Sequence, residues 1–197
     1  MWIPLVKSVK QWEQAGNAFR NAARLQSSNG LSLRHEAAQS LVDAGNCYRK
    51  VNADSGLDAY KEAIEILTDM GRFTMAAKHL VSCGDIHNEN RDFVKAVEQY
   101  QKAADYFRSE ESHTTADKHV VKAADLLCSE LEQFKQAQEI YEVVGSRCAD
   151  QSLLKYSAKD HFFKAALCRR NFKNCGIQNL MKKIFLNFFY VIWISMW

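Results

Sequence analysis

Small and large apolar residues recur along the chain at helical spacing, separated by short polar segments. Gly84 and His87 are followed by Ala96, Tyr100 and Ala103, the spacing used by the two helices of a tetratricopeptide unit. Small residues let two helices approach closely, and a large residue one turn further on fills the groove between them. Degenerate copies of this pattern are Trp12-x2-Ala15-Gly16-x2-Phe19 with Ala37-x3-Leu41-x2-Ala44, and Ala124-x2-Leu127 with Ala137-x3-Tyr141-x2-Val144. The pattern predicts helical hairpins.

These hairpins predict an all-α fold, a tetratricopeptide-like solenoid of stacked antiparallel helical hairpins. Each hairpin leaves an apolar face that only the next one covers, so the hairpins must stack. One proline and eight glycines in 197 residues agree with a helical chain. Gly71 is placed to end one helix, and Asp92 to cap the start of another. The predicted helices span about 8–26, 33–51, 56–69, 73–89, 92–108, 112–130, 133–148 and 152–170.

Composition changes abruptly after residue 168. Residues 169–197 contain five basic residues and no acidic one, whereas residues 1–168 hold 21 basic and 23 acidic residues. The sequence therefore predicts a helical repeat domain over 1–168 and an atypical basic and aromatic C-terminal tail over 169–197. The apolar run 184–197 is shorter than the roughly 20 residues needed to span a bilayer. The near-neutral charge of the repeat domain argues against a nucleic-acid partner.

Catalytic and metal-binding chemistry have little support in the sequence. His79, Cys83 and His87 recur every fourth residue, but three ligands along one straight helix lie too far apart to meet at one ion. No nucleotide-binding glycine loop, nucleophile elbow or zinc-protease motif occurs. We therefore expect no enzyme, no bound metal and no cofactor. The six scattered cysteines predict reduced thiols in a cytosolic protein.

Aromatic residues at helical spacing are predicted to be core residues rather than a stack for a ligand. They are Phe19, Tyr48, Tyr100, Tyr106, Phe107, Tyr141, Phe162 and Phe163. Basic residues also recur once or twice per hairpin. They are Arg49, Lys50, Arg72, Lys78, Lys118, Lys122 and Lys159. In a stacked array such residues form either a stripe along one face or a scatter of solvated charges, and the sequence leaves both open.

Several segments of the chain resemble a known family. They are LVDAGNCYRK, AIEILTDMGRFTMAAKH, KAVEQYQKAADYF and LLKYSAKDHFFKAALC. Together they are similar to the alpha/beta class of soluble NSF attachment proteins, adaptors that couple the NSF ATPase to assembled SNARE complexes. The similarity runs from about Trp12 to Cys168, in order and nearly without gaps. TDMGRFTMAAKH and LLKYSAKD are more specific than generic repeat residues.

The resemblance implies a non-enzymatic adaptor in vesicle-mediated transport and membrane fusion. Its expected partners are the assembled SNARE four-helix bundle, the NSF ATPase and, peripherally, a membrane surface, and its expected location is the cytoplasm. The SNARE-facing basic residues carried over from the family are Lys78, Lys118, Lys122 and Lys159, with Arg72, Arg49 and Lys50 as weaker candidates. Long cations on a rigid surface attract an acidic bundle with a strong salt dependence.

Both ends of the chain depart from the family pattern. Family members begin with a further helical segment and a Phe-rich loop, and they continue past FFKAALC to an acidic end that engages the ATPase. This chain opens with MWIPLVKSVKQW and ends in a basic and aromatic stretch. From this departure we expect SNARE binding with impaired ATPase coupling.

Three other interpretations stay open from the sequence. The first is a tetratricopeptide scaffold that binds an extended peptide, for which Asn17 and Asn46 are the only suggestive amides. The second adds an interfacial membrane anchor, built from Lys182, Lys183 and the aromatic run that follows them. The third is a tail-anchored membrane protein, which rests on the run 184–197 alone.

Overall fold

The computed structural model describes residues 3–28, 33–151 and 154–170. That part of the chain consists of helices and the turns between them, without a strand. The helices are α1 (Ile3–Ser28), α2 (Arg34–Tyr48), α3 (Ala53–Asp69), α4 (Phe73–Glu89), α5 (Phe93–Ser109), α6 (His113–Ser129), α7 (Phe134–Asp150) and α8 (Lys155–Arg169). The predicted all-α fold is confirmed. Residues 171–197, which hold most of the predicted tail with its proposed anchor, lie outside the described ranges.

Contacts between helices divide the chain into two compact units, Met1–Leu126 and Leu127–Trp197. In the first unit, α1 to α5 pack against one another in consecutive pairs, and ion pairs also join alternate helices. The ion pairs are Arg20 with Glu62 (α1 and α3), Arg49 with Glu89 (α2 and α4) and Lys122 with Asp85 (α6 and α4). Consecutive packing with contacts between alternate helices is the arrangement of stacked hairpins. In the second unit, α7 packs against α8.

Neighbouring helices of the first unit approach closely through one repeated contact. A tyrosine ring lies against a glycine of the preceding helix, and the tyrosine hydroxyl donates to the side chain directly after that glycine. The three sets are Gly16, Asn17 and Tyr48; Gly45, Asn46 and Tyr60; and Gly84, Asp85 and Tyr100. The O···O distances are 2.7, 2.6 and 2.6 Å. The two amides considered as peptide-binding groups are therefore engaged in helix packing.

The second unit keeps the glycine contact without the hydroxyl. Phe162 on α8 lies so close to Gly145 on α7 that an added Cβ would come within 3.1 Å of the ring. Because phenylalanine has no donor, the residue after this glycine needs no acceptor. Ser146 instead donates to the Glu142 carbonyl of its own helix at 2.9 Å. Compared with the contacts of the first unit, the second unit has therefore lost both the ring hydroxyl and the side chain that accepts from it.

The turns that follow α3, α4, α5 and α6 each contain a residue in the left-handed conformation. After α3, the Gly71 N–H donates to the Thr68 carbonyl at 2.9 Å and the Arg72 N–H to the Leu67 carbonyl at 2.8 Å. This is the Schellman arrangement, and with a φ of +69° it confirms Gly71 as a helix stop. The later turns use non-glycine residues at positive φ: Arg91 (61°), Glu111 (56°) and Glu132 (52°).

Two helix starts differ in how their backbone is capped. The side chain of Asn52 accepts from the Asp54 N–H at 2.9 Å, and α3 begins at Ala53. The predicted start at 56 is wrong because this cap was not recognised in the sequence. Asp92 holds the predicted N-cap position of α5, but its side chain makes no capping hydrogen bond. Its carboxylate lies 2.7 Å from the ammonium of Lys95 instead.

The core is built from alanines, aliphatic residues and some of the predicted aromatics. Tyr48, Tyr100, Phe107 and Tyr141 are buried, and Tyr106 is half-buried. The core assignment is wrong for Phe19, Phe162 and Phe163, whose exposed fractions are 39%, 43% and 37%. These three lie on α1 and α8, the first and last described helices, which each have only one described neighbour in chain order. Within the described ranges, no helix is both long and apolar enough to cross a bilayer.

Candidate partner-binding surface

All the basic residues predicted for the partner-binding surface are exposed in the structure. Lys78 lies on α4, Lys118 and Lys122 on α6, Arg72 at the turn before α4, Arg49 and Lys50 after α2, and Lys159 on α8 in the second unit. Exposure leaves all of them accessible to a partner. Their contacts within the fold, however, separate them into different groups.

Lys78 and Lys118 occupy matching positions on α4 and α6. Each comes two residues after a fully buried alanine, Ala76 or Ala116, and each is followed directly by a histidine. The buried alanine fixes that side of the helix against its neighbours, which turns the lysine toward solvent. Among the described residues, neither lysine forms an ion pair. Their charges are therefore not neutralised within this part of the fold.

Lys122 lies one helical turn after Lys118, on the same side of α6. Its ammonium nitrogen is 3.5 Å from the Asp85 carboxylate and 5.5 Å from the centre of the Tyr100 ring. Asp85 lies on the same side of α4 as Lys78, about two turns further along. Lys78, Lys118 and Lys122 form what we term the α4–α6 basic surface. Asp85 is an acidic group within it that engages one of its three cations.

Arg49 and Lys50 are engaged by contacts within the fold. The Arg49 guanidinium donates to Glu89 at 2.5 Å, and the Lys50 ammonium lies 3.3 Å from the centre of the Trp12 ring. Glu89 is the last residue of α4, whereas Arg72 directly precedes the first. A helix of 17 residues is about 25 Å long. Arg72 and Arg49 therefore lie near opposite ends of α4 and do not form one cluster.

Lys159 is the predicted partner-binding residue of the second unit. It directly follows the buried Ala158, as Lys78 follows the buried Ala77. Its ammonium lies 6.0 Å from the centre of the ring of Tyr156, a residue that is 82% exposed. An exposed contact of this kind contributes only about 0.5–1 kcal/mol. Lys159 is thus an accessible cation in a local setting like that of Lys78.

The histidines next to Lys78 and Lys118 face inward from the basic surface. His79 stacks on Tyr60 with ring centres 6.1 Å apart, and His119 stacks on Phe107 at 5.4 Å. Burial lowers the pKa of both imidazoles, and nearby lysines lower the pKa further. The Nδ1 atom of His119 is buried and has no hydrogen-bond partner among the described residues. Both rings are thus suited to packing in their neutral form.

The three residues considered as metal ligands have separate surroundings. Cys83 is 2% exposed, and burial raises the pKa of its thiol to about 12. His87 lies with Nδ1 3.8 Å from the carboxylate of Asp92, while His79 stacks on a tyrosine. The described residues contain no group of three or more His, Cys, Asp or Glu side chains arranged to hold an ion.

The acidic residues that position these cations were missed in the sequence. Asp85 could have been found from a recurring order: a glycine, an amide or acid, and a tyrosine on the next helix, as in Gly84, Asp85 and Tyr100. Glu89 gives no such signal, because its partner Arg49 lies 40 residues earlier in the chain. Pairing across helices of that separation is visible only in the folded structure.

A solved structure supports the fold. A Podosopora anserina structure, described as nearly identical TPR-like repeats of a kinesin light chain, superposes with a TM-score of 0.56 at 13% identity, over 89% of this chain and 86% of that one. At this identity, the similarity concerns the helical-repeat fold alone.

Comparison by sequence finds relatives of much higher identity. The bovine beta-soluble NSF attachment protein is 46% identical, over 83% of this chain and 54% of its own length. The mouse alpha-soluble NSF attachment protein is 47% identical, over 83% of this chain and 55% of its own length. This chain therefore spans about half the length of the curated relatives it matches. The sequence profile of the family described as "Soluble NSF attachment protein, SNAP" matches residues 5–184. The chain belongs to the soluble NSF attachment protein family.

Proposed function

We propose that the chain is a non-enzymatic adaptor that binds the assembled SNARE four-helix bundle and links it to the NSF ATPase, in vesicle-mediated transport and membrane fusion. Family membership supports this proposal, since the relatives are named as NSF attachment proteins, and one from Komagataella phaffii as a vesicular-fusion protein. In this proposal the adaptor works in the cytoplasm, peripherally at a membrane surface and without nucleic acid.

The α4–α6 basic surface is the observation that carries the SNARE-binding part of the proposal. Lys78 and Lys118 project from equivalent positions and keep uncompensated charges. An assembled SNARE bundle presents an acidic surface, so a row of such cations attracts it and pairs with several carboxylates together. An exposed ion pair contributes about 1 kcal/mol or less. The binding free energy must therefore come from several ion pairs, and the affinity must fall as the salt concentration rises.

The remaining basic residues have secondary roles in the proposed interface. On binding, Lys122 leaves Asp85 and pairs with a carboxylate of the bundle. Loss of the internal ion pair offsets part of the binding free energy that Lys122 contributes. Lys159 is proposed as a separate partner-binding cation on the second unit. Arg72 lies at the turn before α4, and Arg49 and Lys50 must give up contacts within the fold to reach a partner. We therefore rank them below Lys78 and Lys118.

The test is a binding measurement of the full chain on an immobilised, assembled SNARE bundle at low and high salt. The informative variant is Lys78→Glu/Lys118→Glu. Its matched control is Lys61→Glu/Lys102→Glu, which makes the same change in net charge at exposed positions on α3 and α5. We expect the wild-type chain to bind in a salt-sensitive way, the first variant to bind about tenfold more weakly or worse, and the control to lose much less.

Two outcomes would count against the proposal in different ways. Equal losses of affinity in both double variants would show that binding depends on net charge and not on the α4–α6 basic surface. A folded wild-type chain that fails to bind at low salt would overturn SNARE binding itself. Adding the NSF ATPase with ATP and following bundle disassembly then tests the proposed link to that partner. The peptide-scaffold alternative is not favoured, because Asn17 and Asn46 are engaged by tyrosine hydroxyls.

A further inference from the structure

Two cysteines of the second unit lie side by side across two helices. The Sγ atoms of Cys128 on α6 and Cys168 on α8 are 3.5 Å apart. Cys168 is 3% exposed, whereas Cys128 is half-buried and so has an edge open to solvent. Neither residue belongs to the basic surface or to the repeated glycine–tyrosine contacts. Their proximity is thus not explained by the proposed adaptor role.

The separation is small enough to be closed by a covalent bond. A disulfide requires sulfur atoms about 2.05 Å apart, so the two sulfurs need to approach by roughly 1.5 Å. Cys128 is the last residue but one of α6, and Cys168 is the last residue but one of α8. The final turn of a helix has unpaired carbonyl groups and frays readily. An approach of this size can therefore occur without loss of the main helical hydrogen bonds.

The buried Cys83 provides a contrast within the same chain. It is 2% exposed, and burial raises the pKa of its thiol to about 12. Thiol–disulfide exchange needs an accessible thiolate. Cys83 therefore lacks both requirements, whereas Cys128 is accessible and has a second thiol in contact with it.

We propose that Cys128 and Cys168 are a reversible modification site that reacts with low-molecular-weight disulfides of the glutathione type. The Cys128 thiolate attacks one sulfur of glutathione disulfide, forming a mixed disulfide and releasing one glutathione thiolate, which takes up a proton. The Cys168 thiolate then attacks the Cys128 sulfur, forms the protein disulfide and releases the second glutathione. Two protein thiols are oxidised and one glutathione disulfide is reduced to two thiols. An excess of reduced glutathione reverses both steps.

The cross-link changes the stability of the second unit. It joins the ends of α6 and α8 around the intervening α7, and so restricts the unfolded chain over that segment. The oxidised form should accordingly melt at a higher temperature than the reduced form. The proposal does not depend on SNARE binding, and it stands or fails independently of the proposed function.

The experiment equilibrates the full 197-residue chain with glutathione and glutathione disulfide over a range of ratios. Acid quenching, maleimide labelling and mass spectrometry of tryptic peptides then locate the disulfide. We expect the peptides 123–135 and 165–169 to become linked in a monomeric chain, and reduction to separate them. We also expect Tm to rise by several degrees on oxidation and to return on reduction.

Three variants make the result specific. Cys128→Ser should leave Cys168 as a thiol, and Cys168→Ala should stop the reaction at a glutathione adduct on Cys128. Cys148→Ala, a buried cysteine on α7 of the same unit, should still form the link. The proposal is overturned if wild-type Cys128 and Cys168 both stay labelled with maleimide in excess glutathione disulfide. It is equally overturned if either pairs with another cysteine or with a second chain.

Discussion

The ammonium group of Lys122 donates to Oδ1 of Asp85 at 3.5 Å, and the same oxygen accepts the hydroxyl of Tyr100 at 2.6 Å. Asp85 therefore helps α4 to pack against α5 through its hydrogen bond with Tyr100. Through its contact with Lys122, it neutralises part of the α4–α6 basic surface. Burial, and then the hydrogen bond to this carboxylate, raise the pKa of the Tyr100 hydroxyl, so it remains a donor at ordinary pH.

Asp85→Asn separates these two roles. The amide oxygen still accepts from Tyr100, as Asn17 and Asn46 do for Tyr48 and Tyr60. A bond to a neutral acceptor is weaker than one to a carboxylate, so stability should fall by about 1 kcal/mol or less. Removing the negative charge frees Lys122, and binding to an assembled SNARE bundle should tighten by about two- to fivefold at low salt. Titration of the bundle at several salt concentrations measures this change.

The matched control is Asp58→Asn, an exposed acid on α3 that pairs with Lys61 at 3.6 Å. It makes the same change in net charge away from the basic surface, so it should leave affinity nearly unchanged. Equal tightening in both variants would show that the position of Asp85 has no part in binding.

Gly84→Ala should destabilise the fold. The new Cβ would lie 2.7 Å from a carbon of the Tyr100 ring, closer than real contacts allow. Overpacking of this kind costs about 1–3 kcal/mol, which exceeds the gain of up to about 1 kcal/mol from better helix propensity. Urea unfolding of the full chain gives the difference. Asn88→Ala, at an exposed position of the same helix, gains propensity without the clash, and a similar gain in Gly84→Ala would contradict the packing explanation.

Glu111→Gly should stabilise the turn after α5. Glu111 has a φ of 56°, which costs a side-chain-bearing residue about 1–2 kcal/mol. Glycine removes that cost but loses more backbone entropy on folding, so we expect a net gain of about 0.5–1 kcal/mol in the free energy of unfolding. Thermal and chemical denaturation both measure it.

The adjacent Glu110 supplies the control, because the two side chains are identical and only the backbone differs. Glu110 has a φ of −99°, which costs a side-chain-bearing residue no strain. Glycine at this position loses more backbone entropy on folding and relieves no strain. Glu110→Gly should thus lower stability. If both glycine variants shift stability in the same direction, the left-handed backbone does not explain the effect.

Stability should fall as the pH drops below about 6.5, the ordinary pKa of histidine. Burial lowers the pKa of His79 and His119 in the folded chain, so in this range the unfolded chain binds more protons. The charged groups near His119 are Lys122 and Lys118, which lower its pKa, and Asp85, which raises it. We expect Tm to decrease by several degrees between about pH 7.5 and about pH 5.5.

His119→Phe should reduce this pH dependence, since phenylalanine keeps an aromatic ring against Phe107 and cannot take up a proton. His113→Gln, at the exposed first residue of α6, should retain it. The explanation fails if His119→Phe shows the same loss of Tm on acidification as the wild-type chain.

The helical stack was predictable because its signal is local and periodic. Alanines and glycines at fixed spacing define buried faces, and Gly71 marks a helix end without reference to any distant residue. The sequence did not show which basic residues form ion pairs within the fold and which remain available to a partner. Lys78 and Lys122 look alike in sequence, yet one has no ion pair among the described residues and the other pairs with Asp85, 37 residues away. Such pairing depends on how successive hairpins are aligned, which no local pattern specifies.

The glycine–tyrosine contact gives the repeat an adjustable charge. The position after each of the three glycines accepts a hydrogen bond, and asparagine and aspartate, which have nearly the same size, both do so in this chain. Exchanging one for the other sets a charge of zero or minus one at each contact while the helix packing is kept. Of these three positions, 85 is the one that contacts a lysine of the α4–α6 basic surface, so the choice of residue there adjusts the positive charge of that surface while the packing of α4 against α5 is kept.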